Sequence, residues 1–163
     1  MRKNILFILL LMISPGVFGQ SESTDKQAVL LTVQKFFDAM TAHDSLGASQ
    51  VLLQDGNYWA TRQEATGTYS RMNTFKTFTE RIQRDTTQLD ESMWNPTVLI
   101  RQTIAMVWTP YQIKISNKLA HCGIDSFSLI KTSEGWKISH LIFTMEPNGC
   151  SEMKKYKIED HLR

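Results

Sequence analysis

Residues 121–125 read His-Cys-Gly-Ile-Asp. This stretch gathers side chains able to act as a nucleophile with its base, as metal ligands, as half of a disulfide, or as the wall of a binding pocket. Spacing begins to separate these chemistries. The segment lies in a run of alternating apolar and polar residues, where successive side chains point to opposite faces and residues four apart are about 13 Å from each other. His121 and Cys122 therefore face away from one another, which leaves Cys122 without a base for nucleophilic attack. His121 and Asp125 share a face without touching, and Gly123 between them leaves a gap that could admit a ligand or mark a bend. The four histidines, at 43, 121, 140 and 161, form no HExxH pair, and the two cysteines form no CxxC pair. Zinc is not indicated. No glycine-rich phosphate loop or GxSxG elbow occurs either, so no cofactor is expected.

A partner for Asp125 emerges if Thr-Ser-Glu-Gly, residues 132–135, is a tight hairpin that pairs Lys131 with Trp136. Counting back pairs Leu129 with Ile138, Phe127 with His140, Asp125 with Ile142 and His121 with Glu146. One face then carries Asp125, Phe127, Leu129, Trp136, Ile138, His140 and Ile142. The other carries Ile124, Ser126, Ser128, Lys137, Ser139, Leu141 and Phe143. On this register Asp125 and His140 are diagonal neighbours roughly 7 Å apart on the more apolar face, and they are the candidate catalytic residues. Asp125 could act as a general base or, with its pKa raised by burial, as a neutral donor to a developing oxyanion. The competing reading is a carboxylate and a histidine satisfied within the core. A slip of one residue would send either group to the opposite side. His121, Tyr111, Trp108, Phe127, Tyr58 and Trp59 are the candidate ligand-binding residues, an aromatic lining with polar handles. Core packing competes for the aromatics, and Glu146 competes as a partner for His121.

The elements that must hold these residues follow from periodicity. Thr24 and Gln27 form a capping-box pattern, and Val29, Val33, Phe36, Phe37 and Met40 make one apolar helical stripe that closes at His43-Asp44. A weaker helical turn runs through Leu46, Val51 and Leu52 to a turn at Asp55-Gly56. Residues 57–69 read as a short strand or loop. Ser70 is the expected cap of a helix bearing Met72, Phe75, Phe78 and Ile82. After the polar stretch RDTTQLDE and an Asn95-Pro96 turn, the period changes to two. Strands are expected in VLIRQTIAMVW, YQIKI, CGIDSFSLIK and GWKISHLIFTM, joined as antiparallel hairpins. Pro110 suggests a bulge or bend. Helices first and a curved antiparallel sheet second describe an α+β domain.

Residues 1–19 have the pattern of a secretory signal peptide: Arg2 and Lys3, an apolar run of about half the roughly 20 residues that a membrane span needs, and small residues before Gln20. The expected organisation is signal 1–19, polar leader 20–23, domain 24–146 and tail 147–163. Arg2 and Lys3 account for the whole formal charge of +2. The remainder is balanced, which argues against nucleic-acid binding and against membrane association once the signal is removed. Export makes a disulfide between Cys122 and Cys150 feasible, though sequence does not give their separation.

The residues VWTPYQIKISNKLAHCGIDSFSLIKTSEGWKI resemble the C-terminal sheet of nuclear transport factor 2-like proteins, the superfamily of ketosteroid isomerase and the polyketide cyclases. The VW-PY, HCG-D-F-L and GWKI elements are similar to its bacterial branch named "Putative lumazine-binding". The resemblance implies a cystatin-like α+β barrel: a cone whose bent sheet wraps the helices, leaves a pocket at its open end, and often forms dimers. The expected function is an exported protein that binds a small, partly apolar molecule in the cone. The alternative is a cofactor-independent isomerase, dehydratase or cyclase using Asp125 with His140 or Tyr111. A homodimer through the outer sheet face is the expected partnership.

Overall fold

A computed structural model describes residues 17–158, with side chains described from Ser23 onward. Most of the expected signal segment, residues 1–16, lies outside the described residues. The apolar stripe of the first helix is its buried side: Val29, Val33, Phe36, Phe37 and Met40 are all enclosed. That helix, α1 (Val17–Thr41), starts upstream of Thr24 and takes in the polar leader, since nothing in Gln-Ser-Glu-Ser breaks a helix. The second, α2 (Ser45–Val51), is capped by Asp44, whose carboxylate accepts from the Gly47 N–H at 2.8 Å.

The next elements depart from expectation. Residues 52–74 form a hairpin of β1 (Leu52–Glu64) and β2 (Gly67–Thr74). Asp55-Gly56 is an irregularity within β1 rather than a turn. Ser70 pairs with Thr61 in the ladder. The cap of α3 (Phe75–Ile82) is Thr74, whose Oγ1 accepts from the Thr77 N–H at 3.1 Å. The stretch taken for polar loop contains β3 (Leu89–Met93), paired with β5. VLIRQTIAMVW is two strands, β4 (Thr97–Arg101) and the start of β5 (Ile104–Ile115), which reverse at Gln102-Thr103. Pro110 produces no bulge: the register with β6 (Lys118–Thr132) runs through it unbroken. It sits where the other neighbour of β5 changes from β4, ending at Trp108, to β3, starting at Tyr111. A missing N–H costs least at such a change-over.

With β7 (Gly135–Thr144) these strands make one sheet in the order β2-β1-β7-β6-β5-β3, with β4 also on β5. The pairs are antiparallel except β1 with β7. The sheet is curved and unclosed, and its inner side packs on α1 and α3 around Phe36, Phe78, Val107, Phe127 and Ile138.

The hairpin of β6 and β7 fixes the site. It opens as expected, Lys131 with Trp136 and Leu129 with Ile138, and then shifts at Ser139 so that Ser128 pairs with His140 and Phe127 with Leu141. One extra residue in β7 is a β-bulge, and it exchanges the faces of everything beyond it. Leu141 and Phe143 turn inward, while His140 and Ile142 turn outward. A short helix, α4 (Cys150–Met153), then returns to the outer side of β6 through a Cys122–Cys150 disulfide with Cα atoms 5.1 Å apart. Among the described residues no helix is long and apolar enough to cross a membrane.

Candidate functional site

The curved sheet and the two helices leave an internal cavity of about 180 Å³. Its apolar wall comes from Phe36 and Met40 of α1, Phe78 of α3, Leu89 and Ile113 of β3 and β5, and Leu141, Phe143 and Met145 at the end of the chain's last strand. The rings run in sequence around it. Phe36 meets Phe78 at 5.4 Å between centroids, Phe78 meets Tyr58 edge-on at 6.0 Å, Tyr58 stacks on Phe143, and Phe143 meets Tyr111 edge-on at 6.2 Å. Such edge-to-face and offset contacts are the arrangements aromatic pairs prefer.

The polar residues on this wall are Glu91, Tyr111, His121, Asp125, Tyr58 and Arg81. Asp125 is 1% exposed, and its buried Oδ2 receives no hydrogen bond from any N–H or hydroxyl among the described residues. Glu91 is half-buried as a residue, but its carboxyl meets that of Asp125 inside the cavity. Two buried carboxyls this close favour sharing a proton over carrying two charges. Burial pushes Glu91 up to about 8. Burial and the neighbouring Glu91 push Asp125 well above the usual carboxylate range.

Tyr111 is buried beside this pair, and its phenol donates its one proton to the Thr144 carbonyl at 2.7 Å. Burial, with the acids Asp125, Glu91 and Glu146 nearby, raises its pKa. His121 Nδ1 lies 3.1 Å from the same phenol oxygen. Since the phenol proton is already committed, the imidazole must donate from Nδ1, which leaves Nε2 as an acceptor. Burial lowers the His121 pKa and keeps the ring neutral. Gly123 makes this arrangement possible. A Cβ there would collide with the Thr144 carbonyl that receives the Tyr111 proton. The gap in the wall is therefore occupied by backbone rather than by a ligand. Arg81, which is exposed, donates to the Tyr58 hydroxyl at 3.4 Å.

A larger groove of about 750 Å³ lies outside, between α1, α2 and the β6–β7 hairpin. It is a surface trough edged by charged side chains such as Asp25 and Lys131, which pair with each other. The smaller internal cavity, with its buried carboxyl oxygen, is the site with chemistry in it.

A family model named "Putative lumazine-binding" matches residues 24–144. The chain belongs to this family. Its solved structural neighbours carry the nuclear transport factor 2-like, cystatin-like fold at low identity. A protein of unknown function from Mycobacterium tuberculosis superposes with a TM-score of 0.64 at 10% identity, over 80% of this chain and 76% of its own. A nuclear transport factor 2-like protein from Cytophaga hutchinsonii gives 0.62 at 14%, covering 74% and 97%. One from Novosphingobium aromaticivorans with a cystatin-like fold gives 0.62 at 10%, covering 85% and 93%. No curated protein matches the chain.

Within this family's cone, four of the residues expected from sequence come together: Asp125, His121, Tyr111 and Tyr58. Phe127 stands one layer behind, packed on Phe36 and Phe37. Three are corrected. His140 does not meet Asp125, because the Ser139 bulge rotates it to the outer side beside Ser128 and Asn57. Trp59 follows Tyr58 in β1 and so faces outward, 39% exposed. Trp108 lies on the outer face of β5, where its indole donates to the Tyr156 hydroxyl at 3.2 Å. Glu91 and Arg81 are site residues that the sequence reading missed. For Glu91 a signal existed: Leu89, Glu91 and Met93 alternate with Asp90 and Ser92, an inward row with one acid in it.

Proposed function

We propose that this protein is an exported binding module that holds a small, partly apolar molecule in the cone. The observation that carries the reading is the aromatic-lined cavity with a fully buried carboxyl oxygen that no N–H or hydroxyl of the described residues reaches. Leaving such an atom unsatisfied costs about 1–3 kcal/mol, a cost that a ligand donor reaching it would offset. The volume suits a single ring with a short substituent. A cavity of about 150 Å³ accepts benzene, and drug-sized ligands occupy about 300–1,000 Å³. The family name favours a small-molecule ligand as well. Export is supported by the amino-terminal pattern and by the Cys122–Cys150 bridge, which persists in oxidising compartments.

The acid–base alternative loses its expected partners: His140 faces outward, and the Tyr111 proton is committed to Thr144. Native mass spectrometry of protein purified from its own host tests the binding reading. The expected spectrum shows a ligand of single-ring mass released on denaturation, and lost when Leu141→Trp fills the cavity. A bound mass that survives this filling would contradict it.

The outer sheet face supports the expected homodimer. Trp59, Met72 and Ile142 line up across β1, β2 and β7 at 39%, 47% and 42% exposure, and Leu99 and Met106 form a separate exposed pair on β4 and β5 beyond Ser126 and Ser128 of β6. The Trp59, Met72 and Ile142 patch is of the kind that marks an association surface.

A further inference from the structure

The donors and acceptors of the cavity, taken atom by atom, specify the ligand more narrowly, on the premise that the cavity is the binding site. Tyr111 is saturated, giving its proton to Thr144 and receiving one from His121. His121 then presents only an Nε2 lone pair. Asp125 Oδ2 is buried and receives no N–H or hydroxyl of the described residues. Glu91 adds a second carboxyl, and Glu146 stands near enough to act on Tyr111. Of the lining's donors, Arg81 lies on the solvent side and donates to the Tyr58 oxygen, a bond that does not use the Tyr58 hydroxyl proton. Once it gives up its proton, the Asp125–Glu91 pair makes the inner end of the cavity a set of acceptors, beside His121 Nε2 and the negative faces of several aromatic rings.

We propose that the cavity takes a small organic cation, the protonated form of a single-ring or short-chain nitrogen base, with its N–H groups directed at Asp125 Oδ2 and the Glu91 carboxyl. Ring faces attract such a cation through their quadrupole, more strongly where water is excluded, and a charge-assisted hydrogen bond is roughly twice as strong as a neutral one. The acid pair responds to its occupant. Near neutral pH the empty pair is held in its protonated form, and an arriving cation makes ionisation favourable, so a proton leaves to solvent as the cation enters. The titratable and charged groups facing the pair are Tyr111 on β5, His121 on β6, Glu146 after β7 and the exposed Arg81 on α3; α1 presents only Phe36 and Met40.

Three probes of nearly equal shape test this: benzamidinium, benzyl alcohol and benzoate. They are titrated calorimetrically into the full-length mature protein at pH 7, in two buffers of different ionisation enthalpy. The expected result is benzamidinium bound at least ten-fold more tightly than benzyl alcohol, benzoate not bound, and about one proton released per cation. Asp125→Asn and Glu91→Gln, each checked for a native circular dichroism spectrum, should each abolish the preference and the proton release. Binding of benzyl alcohol or benzoate at least as tight as benzamidinium would overturn the cation assignment and leave the cavity as a binding site. Failure of all three probes would overturn both.

Discussion

Asp125 and Glu91 set the energetics of the site because each is worth more protonated than charged in its place. A carboxyl whose folded-state pKa is raised keeps a proton that the unfolded chain has lost, so its contribution to stability is present at low pH and disappears as pH rises through the folded value. For Glu91 the loss runs from its ordinary range to about 8, and Asp125 acts in the same direction. His121 has the opposite sign: its lowered pKa makes the fold lose stability as pH drops below about 6.5. Between about pH 6.5 and 8 the acid pair acts alone. Thermal unfolding should show the midpoint falling across that window in the ligand-free protein, and the slope should vanish in the Glu91→Gln, Asp125→Asn double variant. A midpoint that stays flat from pH 6.5 to 8 would mean that the two carboxyls are already ionised.

At the scale of elements, the close approach of β6 to the end of β7 holds Tyr111 in place. Gly123 permits it by leaving space for the Thr144 carbonyl, and Thr144 Oγ1 reinforces it by accepting from the Ile124 N–H at 3.0 Å. Gly123→Ala should destabilise the fold by about 1–3 kcal/mol, the usual cost of overpacking, and should release the Tyr111 phenol from its carbonyl. Urea denaturation measures the first effect, and an ultraviolet titration of tyrosine ionisation the second. A variant as stable as the parent would show that the strands have room to spare. The same hairpin shows what was legible in the sequence. Asp125 stood out as an acid in an apolar row, and the Lys131–Trp136 pairing followed from a short polar turn. The bulge left no mark, because Ser139 is neither glycine nor proline, and one inserted residue exchanged His140 for Leu141 on the inner face. Glu91 was obscured for a different reason: a five-residue strand inside RDTTQLDESM has too few apolar residues to announce its period. The Gln102-Thr103 reversal was missed because Gln102 adopts φ 53° in a place where glycine or asparagine is the usual signal.

For the molecule as a whole, the cavity is on one side of the sheet and the apolar outer face on the other. On that outer side the disulfide ties residues 150–158 across β5 and β6, with Trp94 donating to the Met153 carbonyl at 3.2 Å and Trp108 to Tyr156. The bridge closes a sequence separation of 28, which on chain-entropy grounds is worth about 3–4 kcal/mol. Replacing both cysteines by serine should lower stability by that order, with a change in tryptophan fluorescence from the two indoles. On sedimentation the parent should run as a dimer and Trp59→Glu with Ile142→Arg as a monomer, with cavity binding retained in both. A parent that sediments as a monomer at high micromolar concentration would remove the dimer.

The aromatic hollow beside Asp125 is where we propose that a small molecule binds. Methyl-labelled nuclear magnetic resonance tests it most directly, because Met40, Met145, Leu89, Leu141 and Ile113 report from the cavity wall, while Leu31 and Ala42 report from the outer trough. Titrated with a panel of single-ring molecules that includes benzamidinium, the protein should show shifts concentrated in the first set and abolished by Leu141→Trp. Shifts confined to Leu31 and Ala42, or none in any methyl at millimolar ligand, would contradict the account.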